Sequence, residues 1–382
     1  MKIINCNKII RFVAICNIRI SFVDSDYISY MNKKIAVIIA PNWRNYAKKY
    51  LADCVAGLRE QDFQGELKFF LADNESTSET FEYITKIIPE AELILNKEND
   101  GFAKGCNDPM REALMQGFEY LVFINMDTVA EKNLISELVK AIEADKKIGV
   151  AQARIMLHLE KDKINSLGND THFLGFGYCR NYREVYRDDM VRDLAPISYF
   201  SGAGLIVRSD VLKEVGLFDE VFWMYNEDQD LGWRIWLAGY KCVLAKNAVV
   251  YHKYEFAKSI KQYYWMDRNR IIVMLKCYHL LTLFLIFPAF LVMEFGLILF
   301  SLKSGWWPEK KNVWKYFLDY DNWIYILRAR REVQATRKVK DSDIVGMFSG
   351  EISHQEIDDI KLKLVNPIFN LYWKICKFII IW

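Results

Sequence analysis

Short apolar runs alternate with helical patterns over the first part of the chain. From Lys34 to about Val150, "IAVIIA", "LKFFLAD", "AELILN" and "YLVFINMD" read as buried strands, each ending in polar residues. Between them, "YAKKYLADCVAGLREQ", "SETFEYITKIIPE", "GCNDPMREALMQG" and "KNLISELVKAIEAD" carry apolar residues at helical spacing. Strands alternating with helices imply a parallel sheet covered by helices on both faces. Ligands of such sheets bind beyond the carboxyl ends of the strands. From Ala151 to about Tyr254 the pattern is aromatic and loop-like, except for "YNEDQDLGWRIWLAGYK", Tyr225 to Lys241. There Leu231, Ile235, Trp236 and Ala238 recur near helical spacing, and Gly239 can end the helix. From about Lys258 onward come long apolar runs with many aromatic and basic residues. The chain has no internal repeat and no low-complexity linker.

Composition narrows this picture. A length of 382 residues suggests two or so domains, and 52% apolar residues suffice for a sizeable core. A formal charge of +2 points to no polyanionic partner, and the α/β half lacks the basic clustering of a nucleic-acid binder. The eight cysteines form no CxxC pair and no close Cys/His group, which argues against structural zinc. Their scatter fits buried free thiols in a reducing compartment. Arg11 and Arg19 interrupt the first apolar run, so it is no proper signal segment, and Met31 directly precedes the first strand pattern. Residues 1–30 are therefore expected to be an extension outside the fold. Residues 31–257 would form the α/β domain, and 258–382 a helical C-terminal region.

Polar side chains gather where the strands end. Asp73 and Asn74 follow "LKFFLA"; Asn96, Asn99, Gly101, Phe102, Gly105 and Asn107 follow "AELIL"; Asn125, Asp127 and Thr128 end or follow "YLVFI". Each has an ordinary structural explanation. Asp73 can shape a turn, Ser76 or Asp127 can cap a helix, and the two glycines can serve a tight loop. "GFAKGC" lacks the spacing of a phosphate-binding loop. Their shared rim, after successive strands, favours a site. Glu227, Asp228 and Asp230 crowd one helix start, where they either complement the macrodipole or include a proton acceptor.

Taken in order, "VIIAPNWRN", "DNEST", "NDGFAKGCN", "NMDT", "FSGAGLIVRSDVLKEVGLFDEVFWMYNEDQDLGWR" and "YH" cover about 220 residues. In these motifs the chain resembles the family 2 glycosyltransferases of the GT-A fold, most closely the rhamnosyltransferase-like members of bacterial cell-surface polysaccharide synthesis. The segment from Phe200 to Arg234 is the most specific. The resemblance implies an α/β GT-A fold with a mostly parallel central sheet, and transfer of a sugar from a nucleotide diphosphate to an acceptor hydroxyl with inversion. It implies that Pro41 and Asn42 hold the nucleotide and that Asp73, with Asn74, bonds the base or ribose. Gly101, Phe102 and Asn107 would face the donor. Asp127, with Asn125 two positions before it, would sit at the DxD-type motif and bind a divalent cation. Asp228 would be the base, Glu227 or Asp230 would shape its site, and His252 would be a late metal or phosphate ligand, or else a core histidine. Arg180 or Arg183 would touch a phosphate, or belong to an ordinary glycine-rich loop. The sequence departs from the family at Asn125, where an acid is usual, and after "DNES", where the usual acid is missing.

The chemistry suits these residue types. A departing nucleoside diphosphate is neutralised by a hard cation, so Mg2+ or Mn2+ is the expected cofactor. An acceptor hydroxyl becomes nucleophilic as a carboxylate takes its proton. Like-charge repulsion within the acidic cluster would raise the Asp228 pKa, opposed by the helix dipole. Leu280 to Leu302 is long enough to span a bilayer. A single crossing would carry Lys310, Lys311, Lys315, Arg328, Arg330, Arg331, Arg337 and Lys338 out of the cytoplasm, against the positive-inside rule. A re-entrant hairpin bent at Pro288, or a helix in the interface, keeps both flanks at the inner face of the cell membrane. The alternative is buried helices of a soluble domain or a homo-oligomer interface. The expected partners are a nucleotide diphosphate sugar, a glycan or lipid-linked acceptor and the cytoplasmic membrane face, and no nucleic acid. Two rivals belong to other classes. One is a catalytically silent glycosyltransferase-like scaffold of a membrane assembly. The other is a sugar-phosphate nucleotidyltransferase, whose glycine-rich loop "APNWRNY" does not supply.

Overall fold

The computed structural model describes residues 33–254, 260–352 and 360–382. The expected extension at 1–30 and the expected domain boundary at 257 both lie outside the described residues. The first half runs β1 (Lys34–Trp43), α1 (Tyr46–Arg59), β2 (Glu66–Asn74), α2 (Ser78–Ile87), β3 (Glu92–Asn96), α3 (Gly101–Met115), β4 (Tyr120–Ile124), β5 (Thr128–Ala130), α4 (Leu134–Glu143) and β6 (Ile148–Leu157). Then come the short strands β7 (Ile164–Ser166), β8 (Asn169–Thr171), β9 (Gly177–Cys179) and β10 (Ala195–Pro196). β11 (Gly204–Arg208), α5 (Ser209–Val215), α6 (Glu227–Leu237) and β12 (Lys241–His252) complete the sheet region. Five long helices dominate the remainder: α7 (Ile260–Cys277), α8 (Leu280–Lys303), α9 (Trp307–Leu318), α10 (Tyr320–Thr336) and α11 (Ile360–Ile379).

The main sheet has the order β10-β12-β6-β11-β4-β1-β2-β3, with β5 on β12 and β7 on β6. β4, β1, β2 and β3 are parallel, as are β6 and β12, and β11 runs antiparallel between the two blocks. The sheet is thus mixed but mostly parallel. Alternation along each strand feeds two cores. Ile35, Val37 and Ile39 of β1 enter one face with α1 and α4, while Ala36 and Ile38 enter the other with α3 and α6. Both faces are buried, which is why these strands read as continuous apolar runs.

Two local features differ from expectation. α3 begins at Gly101, not after Gly105, so the glycine-containing stretch is helix and not loop. The first-turn N–H groups of Phe102 and Ala103 both donate to the Trp223 carbonyl, at 2.7 and 3.1 Å, which satisfies a helix start that has no side-chain cap. Gly101 allows the close approach this requires, since a Cβ there would meet the Trp223 carbonyl oxygen at 2.6 Å, while Gly105 lets the same helix pass Pro41. The second difference lies in α8, which runs unbroken from Leu280 to Lys303 with Pro288 inside it. The hairpin bent at Pro288 is therefore excluded. A proline removes one helical hydrogen bond, and here it does not end the helix.

The C-terminal helices are not a free appendage. A third core joins Phe173, Phe222, Trp233 and Leu237 to α7, α8 and α11. Trp233 of α6 meets Tyr278 and Phe348, each at 4.6 Å between ring centroids, and Phe173 stacks on Trp373 at 4.8 Å.

Candidate functional site

The strand register sets the rim. Asn42 of β1 lies opposite Asp73 of β2, and Trp43 opposite Asn74. The buried Asn42 amide donates to Asp73 Oδ1 at 3.0 Å, while its own oxygen accepts the Ala47 N–H at 2.8 Å and so opens α1. The Ser76 hydroxyl also donates to Asp73. Asn74 donates to the Gly101 carbonyl at 3.2 Å and accepts from Asn96 at 2.9 Å. Pro41, Asn42, Asp73, Asn74 and Gly101 thus form one contiguous edge at the ends of β1, β2 and β3. Phe102 packs beside Gly202, and Gly101, at φ +84°, lies against Trp223, which leaves no room for a side chain. Asn107 departs from its expected place. Its amide donates to the Phe218 carbonyl and Glu220, both at 2.9 Å, and its oxygen accepts the Phe218 N–H at 3.1 Å. It holds the segment before α6 and offers no free group to a donor.

Asp127 follows β4 on the same rim. β5 pairs with β12, setting Thr128 opposite His252, and His252 Nε2 lies 3.1 Å from Asp127 Oδ1. The other ring nitrogen, Nδ1, faces Asn165 Oδ1 at 2.9 Å. Burial pushes the Asp127 carboxyl up, but the hydrogen bond and charge of His252, with the Tyr46 hydroxyl, hold it below the usual range. Asn125 Oδ1 is buried and has no hydrogen-bond partner among the described residues. Among the described residues no three His, Cys, Asp or Glu side chains gather to hold a metal by themselves. The donors present are one carboxylate, one imidazole and one unpartnered amide oxygen. They fit a divalent ion whose remaining ligands come from a diphosphate.

The acids of α6 separate into two kinds. Asp230 is fully buried and pairs with Arg234 at 2.8 Å and with Lys276 of α7 at 2.8 Å. Arg234 goes on to the carbonyls of Val215 and Leu217, each at 2.6 Å. That acid is structural. Among the described residues Glu227 and Asp228 have no cationic partner, and Glu227 Oε2 has no hydrogen bond. Burial, then the Asp228 charge, pushes Glu227 up to about 8. Burial pushes Asp228 up to about 7, against a backbone N–H from Gln229 at 2.8 Å. Burial is the first cause at both acids, and the like-charge repulsion expected from the sequence acts between them. Neither acid caps the helix in the usual way, because the Ncap residue Asn226 is left-handed and makes no side-chain cap.

Three non-glycine residues at positive φ lead into this helix: Trp223 (61°), Tyr225 (67°) and Asn226 (65°). Such backbone persists only where its surroundings fix it. Asn269 of α7 does so, donating to the carbonyls of Phe222, Met224 and Tyr225 at 3.0, 2.9 and 2.7 Å. Trp265 stacks on Trp223 at 5.1 Å, and Arg268 donates to the Val221 carbonyl. Sequence reading missed Asn269, Tyr46 and Asn165, because each acts through a partner 40 to 90 residues away. Two expected phosphate contacts are spent elsewhere: Arg180 pairs with Asp170 and Arg183 with Glu160, each at 2.6 Å. His172 is buried, with its pKa driven down to about 3, and packs against Phe173 and Phe176.

Comparisons with known proteins accord with this arrangement. The model of the glycosyltransferase-like family 2 matches residues 33–268. An uncharacterized glycosyltransferase of Bacillus subtilis, YfnE, is 26% identical over 259 residues, 57% of this chain and 64% of that protein. An N-acetylglucosaminyl-diphospho-decaprenol L-rhamnosyltransferase of Mycobacterium tuberculosis is 28% identical over 199 residues, 48% of this chain and 65% of that protein. The chain thus spans just under two thirds of the length of these curated relatives. Among solved structures, TarS 1–349 of S. aureus gives a TM-score of 0.47 at 17% identity, over 90% of this chain and 88% of that one. A mannosyltransferase of Pyrobaculum calidifontis in complex with GDP-Man and Mn2+ gives 0.46 at 14%, over 80% and 86%. With the sheet flanked by helices and the family motifs spread along its rim, the chain belongs to the glycosyltransferase-like family 2 and has the GT-A fold.

Proposed function

We propose that this protein transfers a sugar from a nucleotide diphosphate sugar to a hydroxyl of a glycan or lipid-linked acceptor, with inversion, in cell-surface polysaccharide synthesis at the cytoplasmic membrane face. We infer that the catalytic unit lies within 31–257 and that 258–382 is a second unit, whose described helices α7, α8 and α11 share a core with it. One observation carries the reading: Glu227 and Asp228 are the acids of α6 left without a cation, while Asp230 beside them is fully neutralised. A helix that needed only macrodipole compensation gains nothing from desolvating two unpaired carboxylates.

Asp228 is the base. Its carboxylate takes the proton of the acceptor hydroxyl, the acceptor oxygen bonds to the anomeric carbon, and the bond from that carbon to the diphosphate oxygen breaks. The electron pair leaves on the nucleoside diphosphate. Attack opposite the leaving group inverts the centre without a covalent intermediate. A raised pKa makes Asp228 a stronger acceptor of that proton than an exposed aspartate. Glu227, held neutral by burial, keeps the pair from carrying two charges. Asp73 binds the nucleoside, set in place by the buried Asn42, and Asn74 holds the Gly101 end of the rim, while Gly101 and Phe102 flank the donor. Asp127 and His252, with Asn125, hold a divalent cation, which when bound supplies positive charge to the diphosphate. The name of the Mycobacterium relative specifies L-rhamnosyl transfer to a diphospho-decaprenol acceptor, which supports a lipid-linked acceptor here.

A donor screen tests the reading: nucleoside diphosphate release from a panel of nucleotide sugars, with Mg2+ or Mn2+. Asp228→Asn is expected to lower turnover by about 10²–10⁴-fold with donor binding retained. Asp127→Ala is expected to weaken donor binding only when the metal is present. Release from none of the sugars would favour a silent scaffold, and pyrophosphate release from a sugar phosphate and a nucleoside triphosphate would favour a nucleotidyltransferase.

A further inference from the structure

α8 has 24 residues, with a mean hydropathy of 2.5 over its most apolar window, of which only 11% is buried. Its residues fall into two stripes running its whole length. Thr282, Ile286, Ala289 and Met293 are buried against the protein. Phe284, Phe287, Leu291, Phe295 and Leu299 stand outward at the same three-to-four-residue spacing, with Phe284 82% exposed. A core helix does not leave such a stripe uncovered.

Glu294, an odd residue in so apolar a helix, lies on the protein side. It pairs with Arg270 of α7 and, at 2.6 Å, with Lys310 of α9, which also reaches Asp267 at 2.7 Å. This quartet, two acids and two bases, clamps the middle of α8 to its neighbours. If α8 crossed a bilayer, α7 and α9 would be drawn in beside it, with the exposed Lys311 and Lys315. Charge at that depth is strongly disfavoured. Lying flat, the helix buries its apolar stripe and leaves the quartet and the lysines outside the hydrocarbon.

A second helix extends the surface. Tyr372 of α11 donates to the Leu285 carbonyl at 2.6 Å, and the Trp382 indole donates to Thr282 at 2.9 Å. Ile368, Leu371, Ile375 and Phe378 form its exposed apolar stripe. Residues 360–382 contain four lysines and no acid, the charge of a helix that rests on anionic lipid.

We propose that α8 and α11 together form a monotopic docking face that lies in the plane of an anionic lipid bilayer without crossing it. This inference is independent of the reaction proposed above, since neither helix holds a residue of that site. The experiment uses the full chain with vesicles of phosphatidylcholine alone or of an equimolar mixture with phosphatidylglycerol. Cosedimentation with the mixed vesicles is expected, weakened by added salt and roughly tenfold or more in Phe284→Asp/Leu291→Asp. Both substitutions are at exposed positions, so an unchanged melting transition verifies the fold. Cysteines introduced in Leu280→Cys and Ser304→Cys should both react with an impermeant maleimide added outside the vesicles. Reaction at only one end would mean a span and overturn the proposal. Failure to bind either vesicle would also overturn it, as would a dimer that dissociates on the double substitution without any lipid binding.

Discussion

Among single side chains, the contrast between Asp228 and Asp230 carries the most meaning. Two acids one helical half-turn apart receive opposite treatment, Asp230 neutralised by Arg234 and Lys276, Asp228 desolvated with only a backbone N–H and no cation among the described residues. The sign of the consequence follows directly. Burial penalises the ionised form, so Asp228 keeps its proton to higher pH, and in the proposed role of base it must be deprotonated. kcat/KM is therefore expected to fall as pH drops through about 7, not through the ordinary aspartate range near 4. Stability moves the other way: with folded pKa values above the unfolded ones, the contribution of Glu227 and Asp228 is full at acid pH. It is lost as pH rises through about 7 to 8. Glu227→Gln should raise the melting temperature near pH 8 and converge with the parent in acid. A variant with equal gain at both pH values would refute the burial argument.

Among elements, α7 governs the entrance to α6. Asn269 satisfies three carbonyls of a segment that holds three non-glycine residues in the left-handed region. Each such residue costs roughly 1–2 kcal/mol, less for asparagine, so the segment needs external support. Asn269→Leu leaves buried acceptors unpaired and is expected to lower unfolding free energy in urea by about 1–3 kcal/mol. Turnover should fall with it, since the loop positions Asp228. An unchanged unfolding curve would assign the loop's conformation to its own sequence. α3 shows the complementary device: its glycines allow it to begin under Trp223, so that one carbonyl both starts a helix and ties the two loops together.

For the molecule as a whole, the Asp267–Arg270–Glu294–Lys310 quartet joins α7, α8 and α9. Glu294→Leu leaves two buried cations with one carboxylate and should destabilise by about 3–5 kcal/mol in denaturant titration. Adding Lys310→Met restores charge balance and should recover most of the loss. If the single and double variants unfold alike, the quartet does not hold the C-terminal helices in place. Through α7 this same assembly reaches the loop before Asp228, so the apolar helices and the candidate site share one rigid connection.

Much of this was legible without coordinates because it depends on local order. The strands after Lys34 and the helices between them follow from side-chain period, and the rim of Asp73, Asn74 and Asp127 follows from where each strand stops. Local pattern is insufficient where a group's state depends on distant partners. Arg234, four positions on, marks Asp230 off from Asp228 locally, but its second partner Lys276, some 46 positions away, is beyond local pattern. The helix start at Gly101 depends on a carbonyl at 223, and the helix α8 continues past Pro288, which local pattern marks as a bend. Periodicity reports which face of an element is apolar, whereas charge, pairing and burial are set by what folding brings against it.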